Sequence, residues 1–122
     1  MIEIRRVYDA PPERGAVFLV DRMWPRGKRK EDLSLDGWLR EVAPSTELRR
    51  WFGHRPERFA EFAERYRREL DAAPDAVRPL LEAARQGPLT LLYSAKDTEH
   101  NQAVVLRDYL RDRLGDEDDP NG

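Results

Sequence analysis

Leu89-Thr90-Leu91-Leu92-Tyr93-Ser94-Ala95-Lys96-Asp97-Thr98-Glu99-His100-Asn101 decides the fold class. Its first five residues are an apolar run preceded by Gly87-Pro88, the pattern of a buried strand, and from Ser94 the chain turns polar where a helix is expected to begin. The sequence holds three Ser, three Lys, two His and two Asn, and this segment takes one of each. In open α/β sheets, ligands bind beyond the carboxyl ends of the strands, and the helix that follows presents unpaired N–H groups with about half a positive charge. The junction therefore reads as a site for an anion.

Working outward, Ala16 to Val20 reads as a second strand. The long helical stretch between it and 89–93 permits a parallel pairing by crossover. Ile2, Ile4 and Val7 with Tyr8 mark a first strand, joined to the second by the turn-rich Asp9 to Gly15. Those seven residues are fewer than the dozen or so of a usual parallel crossover, so the two strands are either antiparallel neighbours or not adjacent, and the antiparallel hairpin is favoured. Ser34 is placed to cap a helix with Leu35, Trp38, Leu39 and Val42 on one side, and Ser45 another with Leu48, Trp51 and Phe52. Pro56 opens a helix whose stripe is Phe59, Phe62, Tyr66 and Leu70. Val77, Leu80, Leu81 and Ala84 mark the next. A last helix is expected from about Thr98 to Leu114, capped by Asp97 or Ser94. The expectation is an α/β fold: a small sheet with a parallel pair, 16–20 and 89–93, flanked by several helices. One domain spans 1–114, and 115–122 reads as an acidic, disordered tail.

A chain of 122 residues suits one core. The net charge of −2 comes from 22 basic and 24 acidic residues; without Asp116, Glu117, Asp118 and Asp119 the remainder carries +2. So balanced a charge favours neither nucleic acid nor a membrane surface. The absence of Cys excludes disulfides, thiolate nucleophiles and thiolate metal sites. No Gly-rich phosphate loop, nucleophile elbow or metal-ligand spacing is present, so no metal is expected and no cofactor is indicated. With no secretory core and no apolar stretch of about 20 residues, the chain reads as cytoplasmic.

A parallel pairing of 16–20 with 89–93 would bring Asp21 and Arg22 beside Ser94 to Asn101, making two polar clusters one pocket. Arg22 or Arg26 suits a fork onto a carboxylate or phosphate, Ser94 and Asn101 would complete the cradle, and Lys96 adds a point charge. His100 or Asp97 is placed to act as acid or base, with Lys96 the third catalytic candidate, and His54 is a further ligand-binding candidate. Each has a bland reading too. Asp97 and Ser94 are good caps, and His54 after Gly53 suits a helix-dipole partner. The 22–30 loop, with five basic residues around Trp24, suits either a nucleic-acid backbone or plain solvation.

Four ordered motifs carry a resemblance. Val20-Asp21-Arg22-Met23-Trp24-Pro25-Arg26-Gly27, Trp38 to Ser45, Leu48 to His54, and Leu91 to Asn101 resemble the YeaO-like family of bacterial and archaeal domains of unknown function (DUF 488). The resemblance spans Ile2 to Leu114. It implies a small cytoplasmic α/β protein whose family motifs fall at Asp21, Arg22, Pro25, Arg26, Gly27, Pro44, Ser45, Trp51, His54, Lys96, Asp97, His100 and Asn101. It implies no particular activity, substrate or oligomeric state. Three functions therefore compete: a site for an anionic or nucleotide-like small molecule, with hydrolase or transferase chemistry as its enzymatic form; a nucleic-acid-binding module on the basic loop; and a protein-interaction domain.

Overall fold

Every residue of the strand Leu89–Tyr93 is buried, because it has a parallel neighbour along each edge and packing on each face. The computed structural model describes residues 1–118. Its sheet contains β1 (Ile2–Arg6), β2 (Ala16–Leu19), β3 (Gly37–Trp38) and β4 (Leu89–Tyr93), in the order β1-β4-β2-β3. β4 pairs with β1 from Ile2↔Leu89 to Arg6↔Tyr93 and with β2 from Ala16↔Leu89 to Leu19↔Leu92. The expected parallel pair is present.

Among the described residues there are four α-helices, three between β3 and β4 and one after β4: α1 (Thr46–Phe52), α2 (Phe59–Asp71), α3 (Pro74–Gln86) and α4 (Gln102–Asp118). Alternation along β4 sends Leu89, Leu91 and Tyr93 into one core with Phe62, Tyr66 and Leu70 of α2, Leu80 of α3 and Leu106 of α4. On the opposite face Leu92 joins Val7, Val17 and Leu19 beneath Trp24, Leu33, Leu35 and Trp38. Helices thus cover one side of the sheet, and the segment between β2 and β3 covers the other.

Three expectations are corrected. β1 and β2 do not form an antiparallel hairpin; both run parallel to β4, one on each side. An extended link explains this. Nine residues reach about 30 Å at roughly 3.3 Å each, enough to run back along a strand of about 15 Å and step sideways past one neighbour. The helix expected over 34–42 is instead the short strand β3 followed by a 3-10 turn at Arg40–Val42. Leu35 and Trp38 pack on one face of the sheet and Val42 joins the core on the other, so their helix-like spacing serves two layers. Finally, α4 starts at Gln102 and continues to Asp118, so residues 115–118 are helical; the rest of the expected tail lies outside the described residues.

Gly15, at the end of the β1–β2 link, has φ +90°, and a Cβ there would lie 2.5 Å from the Pro88 carbonyl oxygen at the entry to β4. Gly15→Ala is expected to destabilise the fold by about 1–3 kcal/mol, read from urea unfolding. A change below about 0.5 kcal/mol would contradict this close approach.

Candidate functional site

Adjacent parallel strands end side by side, which places Asp21, two residues past β2, against Ser94, directly after β4. The Asp21 Oδ2 atom accepts from the Ser94 amide at 2.9 Å and its hydroxyl at 2.6 Å, while Oδ1 accepts from Gln102 Nε2 at the start of α4. The Asp21 carbonyl accepts from the Trp38 indole at 2.7 Å. Only 7% exposed, Asp21 has its pKa raised by burial; the bonds from Ser94 and Gln102 and the Arg49 charge oppose that shift without cancelling it.

Two arginines stand beside this carboxylate. Arg22 Nη2 makes long contacts to the carbonyls of Ala43 and Pro44, at 3.4 and 3.5 Å, and Arg49 Nη2 donates to Thr46 Oγ1 at 3.2 Å. The Nε atoms of both are buried and have no hydrogen-bond partner. Arg49 is placed by the anchoring of α1. Ser45 Oγ accepts from the Leu48 amide at 3.1 Å and donates to Glu69 Oε2 at 2.6 Å, and the Ser45 amide donates to Glu69 Oε1 at 2.8 Å. The buried Tyr66 hydroxyl donates to the Val42 carbonyl at 2.6 Å, so α2 fixes the segment leading into α1. At its far end, Gly53 and His54 take consecutive left-handed conformations, φ 54° and 57°, a geometry His tolerates better than most side chains.

The segment from Ser94 to Asn101 is a loop with two caps in tandem. Arg6 holds its start by donating to the Ala95 and Ser94 carbonyls at 3.0 and 3.4 Å. Asp97 Oδ1 accepts from the amides of Glu99 and His100, both at 2.9 Å, and Oδ2 lies 2.9 Å from His100 Nδ1. The two amide bonds hold the Asp97 carboxyl below the usual carboxylate range. Asn101 caps α4: its Oδ1 accepts from the Val104 amide at 3.1 Å, and its Nδ2 donates to the Asp97 carbonyl. The cap is therefore neither Asp97 nor Ser94, and His100 precedes the helix instead of lying within it.

These elements surround a cavity of about 860 Å³ at the carboxyl ends of the strands. Of the residues singled out from sequence, Asp21, Arg22, Arg26, His54, Ser94, His100 and Asn101 line it. Asp97 is bonded to the lining residue His100, and Lys96 is exposed and forms no part of the wall. Arg49, Arg50 and Gln102 line it as well, and sequence reading missed them. Arg49 and Arg50 sit between apolar residues of an amphipathic helix, where charge ordinarily means solvation. Among the described residues no three metal-ligating side chains cluster, and no helix is long and apolar enough to cross a membrane.

The family model described as "Inactive DUF488-N3 subclade" matches residues 1–122. Uncharacterized protein YeaO of Escherichia coli is 49% identical over 111 residues, covering 90% of this chain and 96% of that one. The chain belongs to the YeaO-like DUF488 family. Uncharacterized proteins Rv3073c of Mycobacterium tuberculosis and Mb3100c of Mycobacterium bovis are each 41% identical over 114 residues, covering 92% of this chain and 95% of theirs. No solved structure matches the chain.

The Asp21 shift has a definite sign in this YeaO-like protein. A folded-state pKa above the ordinary 3.8 means that the folded protein binds this proton more tightly than the unfolded chain, so stability from this group falls as pH rises from about 4 through the raised value. Asp21→Asn is expected to flatten that part of the melting temperature–pH curve; an unchanged slope would contradict it. For Asp97, Asp97→Ala should speed hydrogen exchange at the Glu99 and His100 amides by about ten-fold or more relative to the rest of the chain. Unchanged exchange at those two amides would mean that the carboxylate does not hold the turn.

Proposed function

We propose that the cavity binds an anionic small molecule and does not transform it. The observation that carries this reading is that Arg22 and Arg49 line one cavity with no carboxylate among the described residues in an ion pair with either. Both side chains line the cavity while their Nε atoms are buried in its wall without a partner, so each guanidinium is fixed with its charge unpaired and its terminal nitrogens are left to meet an anion. A guanidinium fork suits carboxylate and phosphate oxygens.

Binding without turnover is favoured by how the reactive groups are used. Both Asp21 oxygens accept hydrogen bonds and the Ser94 hydroxyl is spent on Asp21. The description of the matching family model as an inactive subclade agrees. The nucleic-acid reading has less support. Trp24 packs edge-on to Trp38 at 5.3 Å and donates to the Lys28 carbonyl at 2.6 Å, Lys28 lies over the Tyr8 ring, and Arg29 pairs with Glu31 and Asp32. The loop's one indole and two of its cations are thereby occupied within the fold.

Inorganic phosphate and sulfate, titrated calorimetrically at low salt, are expected to bind, and either at 100 times its dissociation constant should stabilise the fold by about 2.7 kcal/mol. Arg49→Ala should weaken binding about ten-fold or more, whereas Lys30→Ala should leave it unchanged. Absence of binding, or equal affinity in Arg49→Ala, would overturn the proposal.

A further inference from the structure

The basic groups around the cavity form two tiers. Arg22 and Arg49 are half-buried, with their Nε atoms fully so. Arg26, Arg50 and His54 line the same cavity but are exposed, and no acceptor among the described residues engages the side chain of Arg26 or Arg50. The lining holds four arginines against one carboxylate, Asp21, a net of +3 with both His neutral. One singly or doubly charged ion leaves part of that charge unmatched.

Size points the same way. An orthophosphate displaces the volume of only a few waters, each about 30 Å³, whereas about 860 Å³ lies in the upper part of the range of roughly 300–1,000 Å³ typical of pockets for larger organic ligands. Part of the remaining wall is apolar: Met23 and the surface edges of Pro25, Ala43 and Phe52 offer no side-chain hydrogen bonds to a sugar's hydroxyls but suit contact with a flat ring. Met23, 69% exposed, is an adaptable contact for such a ring.

Building on the anion-binding reading, we propose that the ligand is a nucleoside diphosphate or a close relative. One phosphoryl group sits on Arg22 and Arg49, the other reaches Arg26 and Arg50 at the mouth, and the base lies along the apolar wall. The ligand is held by its two charges and its ring together.

Calorimetry on the full chain with orthophosphate, pyrophosphate, adenosine, and adenosine and guanosine diphosphates tests this. Pyrophosphate is expected to bind about ten-fold tighter than orthophosphate, and at least one nucleoside diphosphate about ten-fold tighter again. The double variant Arg26→Ala/Arg50→Ala, altered only at exposed positions, should weaken pyrophosphate more than orthophosphate and bring the two to within about three-fold of each other. Orthophosphate binding with no gain for pyrophosphate would overturn the two-tier site and leave the anion-binding proposal standing. A gain for pyrophosphate with none for either nucleotide would overturn the nucleoside assignment. No binding by any of these anions would overturn both proposals at once.

Discussion

Asp21 is the buried carboxylate on which the arrangement turns. It connects the end of β2 to the amide and hydroxyl of Ser94 after β4, and to Gln102 in the first turn of α4. Burying a carboxylate is unfavourable unless its oxygens are well supplied with donors, and three donors from two further elements supply them here. The same contacts fix where β2 stops and where Arg22 begins. A buried negative charge also makes the neighbouring arginines favourable, as the influence of Arg49 on Asp21 indicates. The basic cavity is thus a consequence of how the strand ends are joined.

An anion bound at Arg22 and Arg49 would lie close to Asp21, and like charges repel. The fold limits this conflict, because donors from Ser94 and Gln102 engage both Asp21 oxygens, while burial raises the pKa of the group. Ligand affinity and Asp21 protonation are therefore coupled in sign: what raises one raises the other. The coupling belongs to the site's geometry whatever the ligand's identity.

The central feature of the fold was legible because it rests on long-range logic. An apolar run at 89–93 that turns polar at Ser94, reached by a long helical stretch from 16–20, has few solutions other than a parallel pair. The first link was legible only in part: its shortness ruled out a helical crossover between neighbours and left non-adjacent strands as one of two solutions, and β1 and β2 take that one, with β4 between them. β3 was hidden by Leu35, Trp38, Leu39 and Val42, whose spacing imitates one helix face although they serve two layers. Gly37 was the available clue: a Cβ there would come within 3.2 Å of the Phe18 ring. At the site, Asp21, Arg22, Ser94 and His100 converge because both strand ends were placed correctly. Arg49 and Arg50 stayed hidden because the approach of α1 depends on Ser45, Glu69 and Tyr66, contacts across 24 residues that no local pattern encodes.

The buried guanidinium donors of Arg22 and Arg49 are the core of the account, and their Nε–Hε groups can be observed directly. Nitrogen-15 NMR of the uniformly labelled protein, with the two signals assigned through Arg22→Lys and Arg49→Lys, would follow them during titration with phosphate. Both Nε–Hε signals are expected to shift along one saturating curve with a shared dissociation constant. If both signals stay fixed while phosphate shifts only backbone amides or other arginines, the cavity is not held open for an anion, and the central claim is wrong.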